Sequence, residues 1–296
     1  MSRTPTPNPE VRSQIADTAL GPVEFATSGE GTPVLVVHGS PGGVDQGAIW
    51  ARFLDGAGVK AIVMSRLGYL GTELGDRRTI DQQADLHAAL LDHLGIERAG
   101  VVAWSGGGPS TYRLAVRHPD RVSGLVMLDA VSAAYTPAKE GIDERLMFST
   151  RLGEWMLRTM AAHAPSALVT STLKAEGELT KEQLENLAAE VLLDDEKKRF
   201  VLDLALTVTH RGRQAGLDND WEQFGAIDSL ELARITAPAL IVHGTADTDV
   251  SPDHGAHAAA TIPGAELLAL ETGTHLCFYT HPDSAAAQAR ALDLLR

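Results

Sequence analysis

Val101-Val102-Ala103-Trp104-Ser105-Gly106-Gly107-Gly108-Pro109 is the stretch of this chain whose reading decides the fold. An apolar run ends at a serine, and three glycines follow it. Pro109 suits the first turn of a helix, where a missing N–H costs nothing. A strand that reverses this tightly into a helix brings backbone atoms close together. Only small residues fit two places before and two places after the serine, and Ala103 and Gly107 stand there. The turn predicted from this pattern lifts the Ser105 hydroxyl clear at the top of a sheet.

Outward from that turn, strand-like and helix-like segments alternate. Strands are predicted at Val23 to Thr27, Pro33 to Val37, Val59 to Met64, Gly100 to Trp104 and Val122 to Leu128. Several are continuous apolar runs, as expected of strands buried on both faces. Helices are predicted at Ala48 to Leu54, Thr79 to Leu94 and Gly108 to Arg117. Thr79 with Gln82 three residues on reads as a capping box. From about Ser132 to Asp228 the rhythm breaks, and the chain reads as almost wholly helical. It then resumes, with strands at Ala239 to Val242 and Glu266 to Leu270 and helices at His254 to Ala260 and Ser284 to Leu295. The expected class is α/β: a mostly parallel twisted sheet with helices on both faces and an inserted helical cap. The expected division is an N-terminal arm over 1–20, a core over 21–131 and 229–296, and the cap over 132–228.

Composition narrows the function. The chain has 296 residues, 44% of them hydrophobic, enough for a large packed core. A net charge of −14 argues against binding to nucleic acid or to an anionic membrane surface. A small neutral or cationic substrate remains compatible. The single cysteine, Cys277, excludes an intramolecular disulfide and a cysteine-based metal cluster. No run approaches the length of a membrane span, and residues 1–10 have no apolar segment of the secretory kind, so the expected compartment is the cytoplasm. The pairs His163/His210 and His254/His257 have no recognisable ligand pattern, and no metal or cofactor is expected. His87 falls on the apolar face of its helix and reads as a hydrogen-bonded core residue.

A serine hydroxyl is a poor nucleophile at neutral pH. It needs a base to take its proton and a carboxylate to orient that base. Two late loops offer both: Gly244-Thr245-Ala246-Asp247 after one strand, and Gly273-Thr274-His275 after the next. Asp249 in the same loop and Asp129 at an earlier strand end are alternative acids.

Six motifs in order give a family resemblance. They are His38-Gly39-Ser40-Pro41-Gly42-Gly43, Arg66-Leu67-Gly68-Tyr69-Leu70-Gly71-Thr72, the turn at Ser105, His118-Pro119-Asp120-Arg121-Val122, Gly244 to Pro252, and Gly273-Thr274-His275. From about Gly21 to Leu295 the chain resembles the α/β-hydrolase superfamily, in its form with a helical cap. Ala103 stands where that family usually has glycine. The resemblance implies Ser105 as nucleophile, His275 as base and Asp247 as the acid. It also implies an oxyanion hole made by the backbone N–H groups of Ser40 and Gly106. The family's usual spacing, three after a glycine and three before a valine, selects Asp247 (Gly244, Val250).

The resemblance makes His38 a structural residue of the oxyanion loop. Arg66 is expected to anchor its own loop, with contact to substrate as the alternative for Arg66 and Tyr69. Trp104 is expected beneath the turn, and Cys277 as a small buried hydrophobe. Serine rather than aspartate at the turn disfavours epoxide and haloalkane hydrolysis. Ester hydrolysis is the first expectation. Proline iminopeptidase-like amide cleavage, carbon–carbon bond hydrolysis and a non-catalytic ligand receptor are alternatives. Amide cleavage would need cap carboxylates to hold a free amine, with Glu154, Glu176 and Asp194 as candidates. Met147, Phe148, Trp155, Met156 and Met160 recur at near-helical spacing and are expected to pack the cap onto the core, or else to line an apolar acyl pocket.

Overall fold

The structure, a computed structural model, describes residues 11–136, 150–209 and 211–296. Its centre is one eight-stranded sheet. The strands are β1 (Gln14–Thr18), β2 (Gly21–Ser28), β3 (Thr32–Val37), β4 (Val59–Met64), β5 (Ala99–Trp104), β6 (Val122–Leu128), β7 (Ala239–Gly244) and β8 (Glu266–Leu270). Their order across the sheet is β1-β2-β4-β3-β5-β6-β7-β8. β1 pairs antiparallel with β2, and β2 antiparallel with β4; every later pairing is parallel. β1 falls inside the stretch read from sequence as an arm. Only Ala16 of its five residues is buried, so its apolar alternation is too brief to register as a strand.

β5 lies mid-sheet and is buried along its whole length. Alternate residues serve opposite faces. Val101 and Ala103 join one core with Leu35, Val37, Ile62 and Met64. Val102 and Trp104 join a second core with Val34, Val36, Val126 and Val242. The helices α1 (Val44–Trp50), α2 (Ile80–His93) and α3 (Gly108–Arg117) connect the early strands. α2 starts with the predicted capping box: the Thr79 hydroxyl accepts from the Gln82 N–H at 3.2 Å, and Gln82 Oε1 accepts from the Thr79 N–H at 3.0 Å. His87 sits in the core as expected, with Nε2 3.0 Å from the Ser110 hydroxyl.

Between β6 and β7 the described residues form α4 (Arg151–His163), α5 (Pro165–Ala175), α6 (Lys181–Leu193), α7 (Asp195–Ala205) and α8 (Gln214–Gly225). α9 (Pro252–Thr261), α10 (Cys277–Thr280) and α11 (Ser284–Leu295) complete the chain. α7 is fastened to the core by aromatic packing: Phe200 stacks on Tyr279 at 3.9 Å between ring centres and meets Trp50 edge-on at 5.1 Å. α4 behaves differently from its sequence expectation. Trp155 is 61% exposed and Met156 42% exposed, so they do not pack onto the core; Met160 joins a small satellite cluster with Leu157 and Leu168. Helical spacing predicted one apolar stripe but not what it would face. Met147, Phe148 and His210 lie outside the described residues.

The turn after β5 closes as its small residues require. Ser105 has φ +52°, a left-handed backbone angle uncommon outside glycine. A Cβ on Gly107 would sit 2.7 Å from the His38 carbonyl oxygen and 2.8 Å from that of Val37. Those atoms belong to β3 and its loop and have little room to yield. Gly107→Ala is therefore expected to destabilise the fold by about 1–3 kcal/mol through overpacking. Urea unfolding checks this, and a variant as stable as wild type contradicts the packing argument.

Candidate active site

β7 ends at Gly244, and the loop beyond it delivers Asp247; β8 ends at Leu270, and its loop delivers His275. The two loops are laced together: the Ala246 N–H donates to the Gly273 carbonyl, and the Thr245 N–H to that of Leu270, each at 2.9 Å. A Cβ on Gly244 would fall 2.3 Å from the Gly273 oxygen, so glycine permits this approach. The result places His275 Nδ1 2.7 Å from Asp247 Oδ2. Because the carboxylate accepts, Nδ1 carries a proton, and Nε2 is the ring nitrogen left to gain or lose one.

Asp247 is held from its other side too. Its Oδ1 accepts the N–H groups of Asp249 at 2.9 Å and Val250 at 3.0 Å. His243 Nε2 lies 3.4 Å from Oδ2 while donating to the Val250 carbonyl at 2.9 Å. Burial alone would raise the Asp247 carboxyl, but the positive character of His275 and the donors around it hold it below the ordinary carboxylate value. For His275 burial acts to lower the imidazole. The Asp247 charge overcomes this and holds it well above the ordinary histidine value.

The alternative acids are placed elsewhere. Asp129 is buried, and its Oδ1 accepts the Gly244 N–H at 2.8 Å. Burial pushes its carboxyl well above the usual range. Both its oxygens lie 3.6 Å from Cys277 Sγ, so Cys277 is a weak donor as well as a packed hydrophobe. Asp249 contributes its N–H to Asp247, and its own carbonyl accepts the Tyr135 hydroxyl at 2.7 Å. Neither carboxylate bonds the His275 ring.

Ser105 is 8% exposed and His275 1% exposed. Trp104 joins their surroundings. Its indole N–H donates to the His275 carbonyl at 3.1 Å, and its ring lies 5.0 Å from the imidazole and 4.6 Å from Trp50. The expected place beneath the turn is thus also a brace for the histidine. The Ser105 hydroxyl and His275 Nε2 do not hydrogen-bond in this structure, and Nε2 has no partner.

The loop from His38 to Gly43 lies against the same turn. A Cβ on Gly106 would sit 2.2 Å from Ser40 Oγ, and one on Gly39 would sit 3.1 Å from Ser105 Cβ. Ser40, Ser105 and Gly106 are therefore immediate neighbours. The Ser40 backbone N–H has no hydrogen-bond acceptor among the described residues. His38 Nδ1–H donates to the Gly39 carbonyl at 2.7 Å, and Nε2 accepts the Arg66 N–H at 2.9 Å. Burial, then the Arg66 charge, keep this imidazole neutral by lowering it well below the ordinary value. The structural role expected of His38 has this physical form.

Arg66 and Tyr69 are buried and reach no open space. The Arg66 guanidinium donates to the carbonyls of His38 and Gly39 and forms a two-pronged bond to Asp220, at 2.9 and 2.6 Å. Removing one partner of such a buried pair typically costs about 3–5 kcal/mol. The anchoring role expected of Arg66 is what the structure contains, and its partner Asp220 was not foreseen. No local motif marks Asp220; it is one acidic residue among many in the helical block, and only the fold reveals its contact.

Of the three cap carboxylates, Glu154 pairs with Arg158 at 3.0 Å, and Asp194 caps α7. Glu176 alone reaches the site. It follows α5, its carbonyl accepts the His275 N–H at 2.9 Å, and its Oε2 is buried without a partner. Carboxylate oxygens of Glu176 and Asp249 and a ring nitrogen of His275 lie within 4.8 Å of one another. Burial first, then the Asp249 charge, push the Glu176 carboxyl well above its ordinary value.

Asp129, His243 and Asp247 form a second such trio, so both groups have donor atoms close enough for a metal ion. In the second trio the carboxylates already accept backbone N–H groups, which accounts for their burial without an ion. A cleft of about 360 Å³ lined by Glu178, Asp247, Thr248 and Glu271 opens beside the acid loop, and neither Ser105 nor His275 lines it. Among the described residues no helix is long and apolar enough to cross a membrane.

Comparison with known proteins agrees with this fold. Residues 32–282 match the family described as alpha/beta hydrolase fold. A solved alpha/beta hydrolase fold protein from Nakamurella multipartita is 53% identical, with a TM-score of 0.94 over 96% of this chain and 98% of that one. An uncharacterized hydrolase of Bacillus subtilis (strain 168) is 26% identical over 262 residues, 86% of this chain and 89% of its own length. A 2-hydroxymuconate semialdehyde hydrolase of Pseudomonas sp. (strain CF600) is 32% identical over 143 residues, 47% of this chain and 50% of its own.

Proposed function

This chain belongs to the α/β-hydrolase fold family, and we propose that within it the protein is a serine hydrolase that cleaves a small, fairly apolar carboxylic ester through an acyl-enzyme. The observation that carries this reading is the Asp247–His275 pair at 2.7 Å, its Nε2 without a partner and its backbone carbonyl bonded by Trp104, the residue next to the left-handed turn at Ser105. Unliganded sites often leave such catalytic hydrogen bonds open until substrate arrives.

Ser105 Oγ attacks the ester carbonyl carbon as its proton passes to His275 Nε2. Asp247 holds the ring and stabilises the imidazolium. The carbonyl oxygen becomes an oxyanion facing the N–H groups of Ser40 and Gly106, donors of a kind worth ~3 kcal/mol each. Collapse expels the alcohol, which takes the proton from His275. Water, deprotonated by the same nitrogen, then releases the acid and restores Ser105. The helices between β6 and β7 act as a cap that sets the acyl group accepted. The choice of an ester rests on its frequency on this scaffold, an argument by association.

Turnover of p-nitrophenyl acetate and butyrate tests the nucleophile. Ser105→Ala is expected to lower kcat by about a thousandfold or more; equal activity would reject the assignment. Asp247→Asn should cost roughly 10⁴-fold in kcat, while Asp129→Asn keeps most activity; loss confined to Asp129→Asn would reverse the two roles. His275 acts as base only when neutral, and its imidazole is raised. The activity of wild type should therefore climb with pH through a limb above 6.5, the ordinary histidine value, and fall away below it.

Glu176 favours a second, narrower reading, in which the ester or amide carries a protonated amine. Glu176 Oε2 is buried without a partner beside Asp249 and His275, and a protonated amine seated there would favour the ionised form of the raised Glu176 carboxyl and pair with it. An amino acid p-nitrophenyl ester should then exceed its uncharged acyl analogue in kcat/KM, and Glu176→Gln should erase that preference by about tenfold. Equal preference in wild type and variant removes this reading and leaves the ester hydrolase intact.

A further inference from the structure

Resting on the hydrolase reading above, we infer that Asp220 is a positioning residue that sets the oxyanion loop through the hydroxyl of Ser40. Asp220 is fully buried on α8, in the helical block, and touches neither Ser105 nor His275. Charge neutralisation by Arg66 would alone account for its burial. Its Oδ2 accepts two further bonds, from Ser40 Oγ at 2.5 Å and from the Tyr69 hydroxyl at 2.6 Å. Ser40 Oγ in turn accepts from Arg66 Nη2 at 2.8 Å. With one donor and one acceptor bond fixed, this hydroxyl has a single orientation. It rests directly over Gly106, whose missing Cβ would lie 2.2 Å from it. The spacing between the Ser40 and Gly106 N–H groups is thus set by a side chain that Asp220 and Arg66 hold in place.

α8 is shaped for this contact. Gly216, Asp220 and Phe224 recur every four residues and share one face of the helix. A Cβ on Gly216 would fall 2.4 Å from the Tyr69 ring, so glycine lets the helix settle on Tyr69. The Gly216 N–H donates to the Gly68 carbonyl at 3.0 Å. At the other end, Phe224 reaches within 3.2 Å of the position a Gly106 Cβ would take. One stripe of α8 therefore touches both the loop that carries Arg66 and Tyr69 and the turn that carries Ser105. Its central residue grips Ser40. Seating of this helix and formation of the oxyanion site become a single event.

The test compares Asp220→Asn, Ser40→Ala and the double variant with wild type on p-nitrophenyl butyrate. A loosely held donor costs rate rather than binding. Asp220→Asn is expected to lower kcat by about tenfold to a hundredfold with KM within roughly twofold. Ser40→Ala keeps its N–H but loses the hydroxyl; it should show a similar fall in kcat at an unchanged Tm. The double variant should fall no further than the worse single variant. A folded Asp220→Asn with wild-type kcat, a change confined to KM, or a double loss equal to the product of the two singles would each overturn the inference. If Asp220→Asn does not fold, Ser40→Ala decides alone, and wild-type kcat at wild-type Tm overturns it. Failure of the hydrolase reading looks different: wild type would then turn over no faster than Ser105→Ala.

Discussion

The reversal of the chain at Ser105 is the constraint on which the rest of the site depends. A buried mid-sheet strand stops, one residue takes a left-handed angle, and a helix leaves at once. Such a turn closes only if nothing projects into it. Gly39, Gly106 and Gly107 each occupy a place where a Cβ would collide with a neighbouring atom. The sheet in turn fixes where the turn sits, because β5 is flanked on both sides by largely buried parallel partners, β3 and β6. The strain of a non-glycine residue at positive φ is offset by that packing.

Around the turn, polar groups are brought together by two different routes. Asp247 and His275 come from successive strand ends, so the parallel sheet itself sets their separation, and backbone bonds between the two loops hold it. Arg66, Tyr69 and Asp220 meet by docking of a helix from far along the chain. The first arrangement rests on the sheet, with the Glu176 carbonyl accepting the His275 N–H as an added tie from the helical block. The second ties the helical block to the loop at Ser40. Loss of the block would leave Arg66 as a buried charge without its carboxylate.

These two routes explain what was legible in the sequence. The sheet's residues announce themselves by apolar runs ended by glycine loops, so seven strands, the turn at Ser105, and the loops of Asp247 and His275 were all found by pattern. Asp247 was separated from Asp129 and Asp249 only by family spacing. β1 was missed because a short edge strand with one inward residue, Ala16, carries almost no periodic signal. The helical block was read as helical and little more. The spacing of Trp155 and Met156 suggested burial, yet both face solvent. Asp220 had no motif, because its role arises from contacts to residues more than a hundred positions earlier. Glu176 is one of three candidates in the sequence, and it is singled out by contacts that only the fold makes: its carbonyl bonded to His275 and its buried Oε2 beside Asp249.

The central claim, that Ser105 forms a covalent acyl intermediate, is tested most directly by peptide mass spectrometry. Wild-type protein mixed with p-nitrophenyl acetate and quenched in acid is digested and searched for acetylated residues. The account predicts one acetyl group, on Ser105, absent from Ser105→Ala. Acetylation at another residue, or turnover of the ester with Ser105 never labelled, would contradict it.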